Sequence, residues 1–156
     1  MFTTVDTSFP DSDYGGLESL LSFYIRSVNI SVSRDLDNKL SGLDVAKGTG
    51  KIGTLLIVSK HPGIRPSDIA NIIMRDKSSM GRLLDKMELQ GLLIRKASSS
   101  DQRSLSLYLT GKGQHLAKEV IKLSREQDDE FFNMITPEEK FLVINIFKKI
   151  LQNKKS

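Results

Sequence analysis

Ser78, Ser79, Arg82 and Lys86 are spaced so that, on a helix, they share one face of about 100°, with Lys77 at its flank. The chemistry open to such a face is hydrogen bonding rather than bond-making. Short hydroxyls permit close approach, a guanidinium can donate two parallel bonds to a guanine edge, and the ammonium groups of Lys77 and Lys86 reach phosphates or bases. A solvated helix face would carry the same residue types, so the context decides. Met80, Leu83, Leu84 and Met87 repeat as i, i+3, i+4, i+7 on the opposite side and must face a core. Downstream come Arg95, Lys96, Ser99, Asp101 and Arg103, a second polar and basic group.

Covalent and metal chemistry find little support. Gly48-Thr49-Gly50-Lys51 resembles a phosphate loop, but the preceding glycine is missing and Ile52 stands where a Ser or Thr would hold magnesium, so a helix lead-in is the better reading. His61 precedes Pro62-Gly63 and His115 is 54 residues away; neither has a nucleophile or ligand spacing around it. Absence of cysteine excludes disulfides, thiolate sites and cysteine-based redox switching. The expectation is no catalytic residue, no metal, no cofactor and no enzyme activity.

Charge points the same way as the helix face. The chain carries a formal +4, and the segment from Lys60 to Arg103, with nine Lys/Arg against five Asp/Glu, holds that whole surplus, while charges elsewhere cancel. A basic block is the electrostatic footprint of a polyanion partner, although solvated faces also produce one. No apolar run nears the ~20 residues needed to span a bilayer, and residues 1–15 lack the basic and apolar regions of a secretory signal, so no membrane association and a cytoplasmic location are expected.

The elements that must hold these residues are readable from periodicity. Leu17, Leu20, Leu21, Tyr24, Ile25, Val28, Val32, Leu36 and Leu40 predict a first amphipathic helix of about 24 residues after a flexible N-terminus, 1–15. A second helix spans Gly50 to Lys60 and ends at His61-Pro62-Gly63. Pro66 opens a third, burying Ile69, Ala70 and Ile73 and stopping near Arg75. Asp76 caps the fourth, which carries the polar face, and Gly91 closes it. The period then becomes two: Leu93 to Lys96 is one strand, 97–102 the tip, and Leu105, Leu107 and Leu109 alternate with Ser104, Ser106 and Tyr108 in the other. Thr110 caps a fifth helix reaching about Ile135, with Leu116, Val120, Leu123, Phe131 and Met134 inward. Thr136-Pro137-Glu138-Glu139 then starts a last helix bearing Leu142, Val143, Ile146, Phe147 and Ile150. The fold class is mainly α with a small β-hairpin wing, a winged helix-turn-helix.

Asp76-Lys77-Ser78-Ser79-Met80-Gly81-Arg82-Leu83-Leu84-Asp85-Lys86-Met87-Glu88, then Gly91-Leu92-Leu93-Ile94-Arg95, Asp101-Gln102-Arg103 and Leu107-Tyr108-Leu109-Thr110-Gly111-Lys112-Gly113, resemble the multiple antibiotic resistance regulator (MarR) family over roughly Leu17 to Leu151. Gly81 departs from the pattern, since members commonly carry Ser or Thr there. The resemblance implies a single domain, 16–156, with a winged lobe at about 50–110 and dimerisation helices at about 16–40 and 111–153. It implies a homodimeric, ligand-responsive repressor on a palindromic operator, whose effector is a small aromatic or phenolic acid.

Several residue roles follow from both sources. Arg103 is expected in a minor groove, where a narrow A·T-rich groove concentrates negative potential, and Asp101 is expected to brace the wing or Arg103. An ordinary turn with a surface ion pair worth ~0–1 kcal/mol is the plainer alternative. Lys77, Ser78, Ser79, Arg82, Lys86, Arg95, Lys96 and Ser99 complete the candidate contacts to double-stranded DNA. Tyr24 and Arg26 are candidate ring and carboxylate contacts for a ligand, against the alternative of a core tyrosine and a solvated arginine. The rival function is a winged-helix protein-interaction adaptor with weak or non-specific DNA binding, which would expose aliphatic or aromatic anchors on the fourth helix instead.

Overall fold

The computed structural model describes residues 14–45, 49–98 and 104–154, which separate into two compact units, one ending at Arg34 and one beginning at Asp35. In the first, Gly15 and Gly16 adopt left-handed φ of 69° and 90° before a 3-10 turn, Leu17–Ser19, and Leu20 is extended. Helix α1 therefore runs Leu21–Lys39, shorter than the apolar repeat suggests. Leu20 fits the helical spacing, but its backbone does not propagate a helix. Leu21, Tyr24, Ile25, Val28 and Ile30 are all exposed.

The second unit contains α2 (Thr49–Lys60), α3 (Pro66–Ile72), α4 (Lys77–Leu89), strands β1 (Leu93–Ala97) and β2 (Leu105–Leu109), α5 (Gly111–Phe131) and α6 (Pro137–Lys154). Its core gathers Leu55 and Val58 of α2, Ile69 of α3, Met80, Leu84 and Met87 of α4, Leu93 and Leu107 of the hairpin, and Leu116 and Val120 of α5. The stripe read on α4 is buried as its spacing requires. The strands pair antiparallel from Leu93 opposite Leu109 to Ala97 opposite Leu105. A further bridge joins Ile64 to Leu107: Gly63 N–H donates to the Leu107 carbonyl at 2.7 Å and Leu107 N–H to Ile64 at 3.0 Å. The turn before α3 is thus fastened to the wing.

Helix ends follow local chemistry. Gly91, φ 69°, takes the left-handed position after α4, with Gly91 N–H bonding Glu88 and Leu92 N–H bonding Met87, a Schellman closure. The capping box of α6 is present, Thr136 N–H to Glu139 Oε2 at 2.8 Å and Glu139 N–H to Thr136 Oγ1 at 3.2 Å. Two helices are shorter than read. α3 stops at Ile72 because Met74 turns left-handed and Arg75 N–H reaches back to the Ala70 carbonyl. α5 stops at Phe131, which leaves Met134 exposed rather than inward.

Met74, at φ 55°, occupies a conformation that costs an L-residue with a side chain roughly 1–2 kcal/mol. Its side chain is exposed, so nothing in the core compensates. Met74→Gly is expected to raise stability by about 0.5–1 kcal/mol, the strain relief exceeding the added entropy of the unfolded glycine. Urea unfolding measures it; a lower midpoint would contradict the assignment of strain.

Candidate nucleic-acid interface

Helix α4 is positioned from both ends. At its start the Asp76 carboxylate accepts Ser79 N–H at 2.8 Å, and that bond holds the carboxyl below its usual range. The cap's contribution is therefore present above the ordinary carboxylate pKa and is lost as pH falls through the lowered value. At its end the Schellman closure leads into the wing. With Met80, Leu83, Leu84 and Met87 buried, the opposite face is turned to solvent: Lys77, Ser78, Arg82 and Lys86 are exposed and Ser79 is half-buried. These five residues, singled out from spacing, are brought together.

Within that face, Arg82 Nη1 donates to Ser78 Oγ at 2.9 Å, one turn away. This bond holds the guanidinium along the helix surface, and its remaining donors keep their capacity for an acceptor. A Cβ built on Gly81 meets no heavy atom within 4 Å, so open space lies beside Arg82. Arg75, which was not among the candidates, donates from Nε to Ser79 Oγ at 2.8 Å.

The wing residues divide. Arg95 is half-buried and pairs with Asp85 of α4, while its Nε lies 3.3 Å from the Glu88 carboxylate without the alignment of a hydrogen bond. It is a strut between wing and α4. Lys96 is exposed, with Nζ 5.1 Å from the centre of the Tyr108 ring, a cation–π distance that leaves the ammonium accessible. Ser99, Asp101 and Arg103 lie outside the described residues.

Lys51, the lysine of the phosphate-loop resemblance, is buried and committed: Nζ donates to the Asp44 carbonyl at 2.5 Å. Burial, reinforced by the charge of Lys86, lowers its pKa against the opposing pull of Asp44. The Asp44 carboxylate in turn pairs with Lys112 at 3.1 Å, and Lys112 Nζ also donates to the Gln90 carbonyl at 2.9 Å. This network joins the α1–α2 connection to the start of α5 and the end of α4. Nothing in residue spacing announced it. His61 and His115 are both exposed, and among the described residues no group of three His, Cys, Asp or Glu is placed to hold a metal. In the first unit, Tyr24 is exposed and its hydroxyl donates to the Glu18 carbonyl at 2.9 Å; Arg26 is exposed as well. Among the described residues no helix is long and apolar enough to cross a membrane.

Comparison with known proteins agrees with this geometry. Residues 51–105 match the model of the MarR family. Over 137 residues, 88% of this chain and 82% of the relative, the sequence is 23% identical to a putative transcriptional regulatory protein for the hcr operon of Thauera aromatica. The fold is similar to that of the transcriptional repressor CouR bound to a 23-mer DNA duplex, with a TM-score of 0.78, 23% identity, and 87% and 95% of the two chains covered. It is equally similar, at a TM-score of 0.78 and 15% identity over 87% and 94% of the chains, to the PcaV regulator of Streptomyces coelicolor in complex with its natural ligand.

Proposed function

We propose, from the premise that this chain is a transcriptional regulator of the MarR type, that it acts in the cytoplasm as a non-catalytic homodimeric repressor reading a palindromic operator. The observation that carries the reading is the polar face of α4: Ser78, Ser79, Arg82 and Lys86 opposite a wholly buried stripe, on a helix that feeds directly into a hairpin. Such a helix seats in a major groove with its fixed side inward. Two of them in a dimer would address half-sites about one turn, ~10 base pairs, apart. Lys96 is assigned to phosphates, Lys77 and Lys86 to phosphates or bases, Arg82 to a base edge and Arg103 to a minor groove, with Asp101 bracing the wing or Arg103 and Ser99 a further candidate DNA contact. Arg95 contributes by holding the wing on α4. A small aromatic or phenolic acid is the proposed effector, with Tyr24 and Arg26 as candidate contacts; that the similarly folded PcaV regulator is in complex with a natural ligand supports a ligand-binding reading without naming its chemistry.

Arg82→Ala is expected to relax choice at one base pair, at a cost of ~1–3 kcal/mol on the preferred sequence, while Lys96→Ala weakens all sequences alike. Competition binding at one fixed salt concentration separates the two. If Arg82→Ala lowered affinity for operator and random DNA by the same factor, the base-reading role would be lost.

A further inference from the structure

Arg75 precedes the cap of α4, outside the polar face, yet its guanidinium bridges that face to α2. Its Nε–H donates to Ser79 Oγ, and its Nη1 end rests against the backbone of Gly50 in the first turn of α2. A Cβ at position 50 would collide with Nη1 and come within 3.2 Å of Cζ, so the seat exists because residue 50 is glycine. Ser79 is then held twice, by its amide on Asp76 Oδ1 and by its hydroxyl oxygen on Arg75. A serine hydroxyl has one proton and two lone pairs. With one lone pair taken by a cation, the oxygen becomes a weaker acceptor through its remaining lone pair and its proton a stronger donor, so donation is the function favoured towards a ligand.

We propose that Arg75 is a positioning residue that makes Ser79 a hydrogen-bond donor, so that this serine selects an acceptor on a base edge, guanine O6 or N7 or thymine O4, over the exocyclic amines of cytosine and adenine. The assignment rests on the reading of α4 as a DNA-recognition helix. It reaches a residue that touches no DNA on that reading, and it gives Gly50 a role in specificity.

The test is selection from a randomised duplex pool, followed by competition binding at fixed salt, with the full-length wild type, Ser79→Ala, Arg75→Met, Gly50→Ala and the Arg75→Met/Ser79→Ala double variant. Wild type is expected to enrich an acceptor-presenting base at one position, by roughly tenfold on the scale of a single base contact. Ser79→Ala, Arg75→Met and Gly50→Ala should flatten preference at that same position, and the double variant should lose no more than Ser79→Ala does. Gly50→Ala guards against a trivial folding defect, because the colliding group is the free end of a flexible side chain that can swing aside; its thermal midpoint should stay at or above that of wild type. A purely structural role for Arg75 would lower affinity for every sequence alike and leave the preferred base unchanged. That outcome overturns the proposal, as do losses that multiply in the double variant or a Gly50→Ala protein with the wild-type preference. A wild type that enriches no sequence would instead overturn the recognition-helix reading beneath it.

Discussion

Gly113→Ala is expected to destabilise the second unit by about 3 kcal/mol, the upper part of the range for overpacking, whereas Gly111→Ala two residues earlier should change stability by less than ~0.5 kcal/mol. Both glycines sit in the first turn of α5. A Cβ on Gly111 meets open space. A Cβ on Gly113 would drive into the Leu92 carbonyl, with the carbonyl carbon at 3.0 Å and Leu109 Cβ at 3.3 Å. That obstacle is backbone and is pinned on every side. The Leu92 carbonyl accepts Thr110 N–H at 3.1 Å, Leu92 N–H closes the end of α4 on Met87 at 3.0 Å, and Gly113 N–H donates to Thr110 Oγ1 at 3.1 Å. Relief would require separating the start of α5 from the end of α4. For a chain of this size 3 kcal/mol corresponds to a fall of roughly 6–12 °C in thermal midpoint. Thermal and urea unfolding of the two variants side by side decide the matter, and equal effects would remove the close approach as the explanation.

On the proposed homodimer and two-half-site operator, Phe147→Glu combined with Ile150→Glu should yield a monomer of 17.5 kDa and lower operator affinity by ~10²–10⁴-fold, because the second half-site would no longer be engaged intramolecularly. Helix α6 has no buried residue, and eight large apolar side chains from Phe141 to Leu151 are each at least 39% exposed. Contiguous apolar surface of that kind marks an association site. Neither substituted residue is in the core, so circular dichroism should show the helices intact. Sedimentation velocity gives the mass directly. A double variant that still sediments as a dimer, or a wild type that is monomeric at micromolar concentration, would refute the placement of the interface on α6.

Much of the architecture was legible because it rests on short-range rules. The i, i+3, i+4, i+7 stripe of α4, the Asp76 cap, Gly91 after the helix and the Thr136–Glu139 box each involve partners within a few residues, and each is formed as read. Boundaries were less legible where an apolar repeat outlasted the helix. Leu20 and Met134 keep the spacing, but the backbone at Leu20 is extended and α5 has already ended before Met134.

By itself the sequence determined the order of elements, the buried and polar sides of α4 and the hairpin that follows it, since periodicity and ordered motifs are properties of neighbouring residues. Only the tertiary structure decided what individual side chains do. Arg95 and Lys96 are adjacent and both basic, yet one braces the wing on Asp85 and the other stands over Tyr108 with its charge free to solvent. Gly50 and Arg75 are 25 residues apart, and Lys51 is bound to a carbonyl rather than to a phosphate. The physical reason is the same in each case. A long cationic side chain can reach any of several acceptors, and which one it meets depends on how helices distant in sequence pack, because a buried donor must find a partner where it is placed.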